Sequence, residues 1–199
     1  SYMNKLLSEG GFGCIYHPGY TCKGKKSKDL DFVTKVHKDN INAKNETFIG
    51  KYISSHIKDY KLYFLPVISK CPISLELVNN NTFEECSIVQ KYNDFNFVQM
   101  KIPYIANKPF FAFLTDTNHT KKDNFSNIIE TYEYLLRGIE KLIQYNIIHF
   151  DLKTENILYN NSSNTPLIID FGISILYDQI DMDKLKRHFY IYAPDYYIW

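Results

Sequence analysis

Two apolar runs in this chain each end in a carboxylate, and they lie close together. The first is Ile148-His149-Phe150-Asp151-Leu152-Lys153-Thr154-Glu155-Asn156-Ile157-Leu158, and the second is Leu167-Ile168-Ile169-Asp170-Phe171-Gly172. A carboxylate at a buried strand end is costly without a partner. Asp151 and Asp170 therefore call for a cation or a reacting group nearby. Lys153 and Asn156 share the first loop, and the set suits metal-assisted phosphoryl transfer. One carboxylate would take an acceptor hydroxyl, an amide and a second carboxylate would hold Mg²⁺, and a lysine would meet phosphate. The fold must bring two loops 19 residues apart (170 − 151 = 19) into one cleft.

The 199 residues are 45% hydrophobic, enough for one sizeable core or two small lobes. A net charge of +1 gives no bulk attraction to nucleic acid or membrane surfaces. No apolar run approaches the ~20 residues of a membrane span, and no signal-peptide segment opens the chain. Cys14, Cys22, Cys71 and Cys86 show no paired zinc-ligand spacing. Cys14 and His17 have metal-like spacing with Cys22 nearby, but free thiols in a reducing compartment are the expected state. The expectation is a soluble, intracellular, cytoplasmic protein.

Ser8-Glu9-Gly10-Gly11-Phe12-Gly13-Cys14-Ile15-Tyr16 places three glycines in four positions between strand-forming residues. This predicts a hairpin whose turn lets backbone N–H groups approach an anion. Residues 31–37 alternate as a strand that carries Lys35, with Lys38 as the alternative if the facing slips by one residue, and a surface lysine as the other reading. Residues 41–58 form a helix capped by Asn40 or Asn42, with Ile49, Tyr52, Ile53, His56 and Ile57 on one stripe. Glu46 is its only carboxylate, serving either as a lysine's counter-charge or as a first-turn complement to the helix dipole. Residues 63–68 read as a strand, 76–95 as an Asn-rich insertion or long loop, and 97–104 as a strand turning at Pro103. Residues 124–145 form the clearest helix, capped by Asn124 or Ser126, with Ile128, Tyr132, Leu135, Ile139, Leu142 and Ile143 recurring at threes and fours. Gly138 inside it predicts a close helix neighbour.

His149-x-Asp151-Leu152-Lys153-x-x-Asn156 followed by Asp170-Phe171-Gly172 resembles the catalytic loop and metal-binding motif of eukaryotic-type serine/threonine protein kinases. The glycine turn resembles that family's phosphate-covering loop, with Ser8 in place of its first glycine, and Val33-Thr34-Lys35 resembles its lysine strand. The resemblance implies an α+β, two-lobed protein-kinase-like fold. Residues 1–104 would form a small β-rich N-lobe with one main helix, and residues 105–199 an incomplete, mostly helical C-lobe. It implies ATP and Mg²⁺ as cofactors and a protein substrate. Asp151 would take the acceptor proton and Lys153 would stabilise the moving phosphoryl group. Asn156 and Asp170 would hold Mg²⁺. Lys35 paired with Glu46 would fix the α/β-phosphates, while Ser8, Gly10, Gly11, Phe12, Gly13 and Ile15 would cover the nucleotide. Backbone at about Met100 to Ile102 would meet the adenine edge. Lys153 goes with Ser/Thr acceptors in the family. His149 would be structural. A small-molecule phosphotransferase and a non-catalytic pseudokinase share parts of this pattern.

Three departures matter. Phe150 stands where many kinases carry an arginine that pairs with a phosphorylated activation loop. Ala193-Pro194-Asp195 resembles the Ala-Pro-Glu that closes the activation segment, and the C-lobe helices that follow in the family are missing, so the chain reads as a kinase fragment. The 76–95 insertion and an A/T-rich coding bias resemble kinases of large DNA viruses, which would place it in host cytoplasm or the virion. Ser174 is the only serine or threonine after Gly172. Activity is therefore expected to be independent of activation-loop phosphorylation. Phosphatase treatment should leave turnover unchanged, and abolition of turnover contradicts this.

Overall fold

The computed structural model describes residues 5–10, 13–74, 76–77, 82–83, 85–91, 96–115 and 121–179. Gly11, Phe12 and Ala193-Pro194-Asp195 lie outside them. Five antiparallel strands build the N-terminal half: β1 (Lys5–Gly10), β2 (Gly13–His17), β3 (Phe32–Lys38), β4 (Ser69–Pro72) and β5 (Phe97–Pro103), in the order β1-β2-β3-β5-β4. The predicted glycine hairpin is present, with Gly10 opposite Gly13. A Cβ on Gly13 would sit 2.2 Å from the Val36 carbonyl oxygen, so only glycine lets β2 lie this close to β3. Phe32 to His37 are all buried, because the sheet is covered on both faces. That layering carries Lys35 into the interior.

On one face lies α1 (Ile41–His56). Asn40 caps it, its side chain accepting from Ala43 N at 3.1 Å, while Asn42 sits buried inside the first turn. Ile49, Ile53 and Ile57 enter a core shared with Phe64, Leu135, Leu142, Ile147, Ile157, Ile168 and Phe171. The helix is therefore packed into the C-terminal half as well as onto the sheet. On the opposite face, Cys14, Tyr16, Val36, Ile73 and Phe97 are covered by Phe83, Cys86 and Val89. The 76–95 stretch is thus more than a polar loop: it contains α2 (Ser87–Lys91) and three core side chains.

Residues 63–68 differ from the expected strand. A 3₁₀ turn at Tyr60–Leu62 leads into an extended buried stretch that touches β-structure through one parallel bridge, Phe64 to Ile168. Leu65 N donates to Ile168 O at 3.1 Å, and Ile168 N to Tyr63 O at 2.8 Å. Pro66 has no N–H, so the ladder cannot extend through it. Regular pairing resumes at β4.

The C-terminal half has β6 (Asn107–Pro109), α3 (Phe110–Leu114), α4 (Lys121–Gln144), β7 (Ile147–Ile148), β8 (Ile157–Asn160), β9 (Thr165–Ile168) and β10 (Ile175–Leu176). α4 starts earlier than expected, so Asn124 and Ser126 lie within it and do not cap it. Leu135 and Leu142 are buried, whereas Tyr132 and Ile143 face outward. No described helix is long and apolar enough to cross a membrane.

The thiol expectation is overturned. Cys14 is bonded to Cys86 and Cys22 to Cys71. Their separations of 72 and 49 residues carry no local signature, because the sheet brings the partners together. The redox argument for a reducing compartment falls with it. The close neighbour predicted at Gly138 is also missing: a Cβ there meets Tyr63 and Ile168 side chains at 3.5–3.7 Å, ordinary contact. Gly138→Ala should therefore stabilise the fold by up to about 1 kcal/mol in urea unfolding; destabilisation would show that the backbone needs the glycine.

Candidate active site

Lys35 arrives on β3 at 7% exposure, opposite Ile15 on β2 and Met100 on β5. A buried ammonium needs compensating charge. Lys35 Nζ donates to both oxygens of Glu46, at 2.9 and 2.8 Å, and to Asp170 Oδ1 at 3.3 Å. Glu46 is 3% exposed and sits in the second turn of α1, away from the helix dipole's N-terminal end. Lys38 is three residues further along β3, on the opposite face. Burial would lower the Lys35 pKa, but Glu46 and Asp170 outweigh it and raise it. Burial pushes Glu46 up while Lys35 pulls it down. With two contacts under 3 Å to a firmly protonated lysine, the pair is ionised. Burial also opposes charge on Asp170, yet Lys35 and the Gly172 N–H hold its pKa below the usual range.

Asp170 follows β9 with φ of 62°, in the left-handed region that non-glycine residues rarely occupy. Such strain persists where surroundings over-determine it. Here Phe171 is buried against Phe64 and His149. A Cβ on Gly172 would come within 3.3 Å of Asp170 Oδ1, so glycine lets the turn close around the carboxylate.

The loop between β7 and β8 carries the other groups. Lys153 Nζ donates to Asp151 Oδ2 at 2.9 Å. Asn156 Nδ2 donates to Asp151 O at 2.8 Å and Oδ2 at 2.9 Å, which leaves the amide oxygen as the atom able to meet a cation. Ile169 N donates to Asn156 O, so Asn156 and Asp170 stand at the same end of the β8–β9 hairpin. An amide oxygen and a carboxylate held there, with Asp151 alongside, form an oxygen donor set that suits Mg²⁺. His149 Nε2 donates to Ile169 O at 3.0 Å, and its Nδ1 accepts from Asp151 N at 3.3 Å. Burial lowers its pKa, matching a neutral ring that braces the loop.

Ser8, Gly10, Gly13 and Ile15 lie on the β1–β2 hairpin beside this cluster. The turn residues Gly11 and Phe12 are outside the described residues. Met100 differs from its expected place at an adenine edge. It is fully buried, and its register partners are Lys35 on one side and Lys70 on the other, so its backbone belongs to the sheet. Ile102 pairs with Val33 nearer the end of that ladder.

One residue at the site carried no signal in the sequence. Asn45, beside Glu46, donates its Nδ2 to Gly172 O at 3.0 Å and Ser174 O at 2.8 Å. Ser174 Oγ in turn donates to His149 O at 3.1 Å. This ties α1 to the turn that holds Asp170 and to the Asp151 loop. Asparagine suits the place because it can donate to two carbonyls. Asn45→Asp has the same shape but faces those carbonyls with acceptors only. It should lose about 1–3 kcal/mol of stability at neutral pH, with the deficit shrinking below about pH 4 as the carboxyl gains a proton. Denaturant titration across pH checks this; an Asp variant as stable as the parent contradicts it.

A family model described as "Protein kinase domain" matches residues 4–196. Among curated proteins, the chain is 29% identical to the meiosis-specific serine/threonine-protein kinase mek1 of Schizosaccharomyces pombe, over 96% of this chain and 46% of that protein. It is 26% identical to a "probable serine/threonine-protein kinase" of Dictyostelium discoideum, over 83% of this chain and 27% of that one. It is 24% identical to human myosin light chain kinase family member 4, over 93% and 40%. The chain spans less than half the length of these relatives. The family match covers nearly the whole chain and includes both loops whose carboxylates meet at Lys35 and Asn156: the chain belongs to the protein kinase family.

Proposed function

We propose that this chain carries the phosphoryl-transfer site of a serine/threonine protein kinase, moving the γ-phosphoryl group of ATP to protein Ser/Thr hydroxyls. The observation that carries the reading is the buried Lys35, shared between Glu46 on α1 and Asp170 after β9. A lysine aimed this way is a phosphate ligand held in register by one carboxylate and linked to a metal-binding one. In this reading residues 1–104 are the nucleotide-covering lobe and residues 105–199 the start of the substrate lobe.

Asp151 orients the acceptor hydroxyl and takes its proton. Lys153, ion-paired to Asp151 and half exposed, is free to swing toward the moving phosphoryl group. Asn156 and Asp170 would hold Mg²⁺, which when bound neutralises phosphate charge. Lys35 fixes the α/β-phosphates, and Glu46 keeps its ammonium from turning away. Ser8, Gly10, Gly13 and Ile15 cover the nucleotide, with Gly11 and Phe12 completing the turn. The backbone near Ile102 and beyond is where the adenine edge would sit. Ser/Thr acceptors are supported by Lys153 and by the names of two of the relatives, both serine/threonine-protein kinases.

The test is turnover with ATP, Mg²⁺ and a Ser/Thr peptide, using the full-length protein. Asp151→Asn keeps the shape and the capacity to accept a hydrogen bond, but removes the base. It should lower kcat by about 10²- to 10⁴-fold with little change in the KM for ATP. A variant retaining parental kcat contradicts the assignment, and turnover confined to small alcohols contradicts the protein substrate.

A further inference from the structure

Residues 85–91 belong to no part of the site just described, yet they are fastened to its edge. Glu9 and Cys14 face each other across the β1–β2 ladder, one pair outward from the Gly10–Gly13 closure. Both are held by neighbouring residues at the start of α2. Cys14 is bonded to Cys86. Glu9 Oε1 accepts from Ser87 N at 2.8 Å and from the Ser87 hydroxyl. Strand alternation sends Cys14 and Tyr16 to the covered face and leaves Ile15 on the other, in register with Lys35. Phe83, Cys86 and Val89 bury Cys14 completely.

Glycine-rich sequence carries wide intrinsic backbone freedom, and ordering such sequence around a ligand opposes binding. A two-point fastening, covalent on β2 and hydrogen-bonded on β1, removes part of that freedom beforehand. We propose that residues 85–91 are a strap that positions the glycine hairpin for nucleotide binding, and that thiol reductants release it. This rests on the kinase reading above. Release is ordinary exchange. One thiolate of a dithiol attacks a protein sulfur and the Cys14–Cys86 bond breaks to a mixed disulfide. The second thiolate then closes the reductant's own disulfide. The protein gains two electrons and two protons, and the dithiol loses them.

The second disulfide supplies an internal control. Cys22 is exposed and Cys71 half-buried, and their bond ties the loop after β2 to β4, away from the turn. It should open first, whereas Cys14–Cys86 waits for the strap to lift.

The experiment titrates the full-length protein, purified without reductant, with dithiothreitol. Alkylation and mass spectrometry count the thiols, and calorimetry gives the Kd for Mg-ATP. Release of Cys22 and Cys71 should leave Kd within about twofold, and release of Cys14 and Cys86 should raise it roughly tenfold. Reoxidation should restore it, and far-UV circular dichroism should stay constant throughout. Cys71→Ser should bind like the parent and Cys86→Ser like the fully reduced protein. Four free thiols in unreduced protein, an unchanged Kd after all four are released, or a loss that tracks unfolding in the dichroism each overturn the strap. Oxidised protein that does not bind nucleotide contradicts the kinase reading itself, and the strap with it.

Discussion

The ammonium of Lys35 sits where a charge is most expensive, between a sheet covered on both faces and a helix packed against it. Desolvating such a group costs several kcal/mol unless partners with good geometry surround it. Two carboxylates supply that compensation, and they come from different places: Glu46 from α1, and Asp170 from the turn after β9. Losing Glu46 would leave the buried ammonium with only the longer contact to Asp170. One lysine therefore fixes the docking angle of α1, the depth of the Asp-Phe-Gly turn and the spacing between the halves of the molecule. The strained backbone at Asp170 fits this view, since the ion pair and the buried Phe171 hold it there.

The apolar core repeats the same connection. Ile49 and Ile53 on α1, and Ile57 just past its end, share one cluster with Leu135 on α4 and with Ile168 and Phe171 around the turn. Asn45 adds two hydrogen bonds across the same seam, and His149 and Ser174 extend it to the Asp151 loop. The groups assigned to phosphate, metal and acceptor thus share one core and one hydrogen-bonded seam, the arrangement that catalysis by positioning and preorganised charge requires. The glycine hairpin is fastened from outside by the Cys14–Cys86 bond and by Glu9.

Much of this was legible in the residues because local chemistry and tertiary role agreed. Alternating apolar residues became β3 and β5, Asn40 became the helix cap, and the Asp-Leu-Lys-x-x-Asn and Asp-Phe-Gly loops carry their groups at strand ends. The pairing of Lys35 with Glu46 was implied by the kinase resemblance, and the residues themselves offered only a buried lysine's want of counter-charge. Their 11-residue separation looks short until β3 runs directly into α1. Elsewhere the deciding contact was distant. Pro66 broke a run that reads as a strand by propensity. Both disulfides join residues dozens of positions apart. Phe83, Cys86 and Val89 are spaced three apart, a helical period that reading 76–95 as a polar, Asn-rich loop passed over. Asn45 left no trace, because its partners are backbone carbonyls, which look alike at every position.

The most direct test of the shared lysine is a double-mutant cycle on ATP affinity. Lys35→Met and Glu46→Gln, separately and together, are measured by calorimetry in the presence of Mg²⁺. If Glu46 acts through Lys35, each single change weakens binding and the double variant binds no more weakly than Lys35→Met alone. That corresponds to a coupling of about 0.5–3 kcal/mol. Additive losses would show the two residues acting independently and would contradict the account.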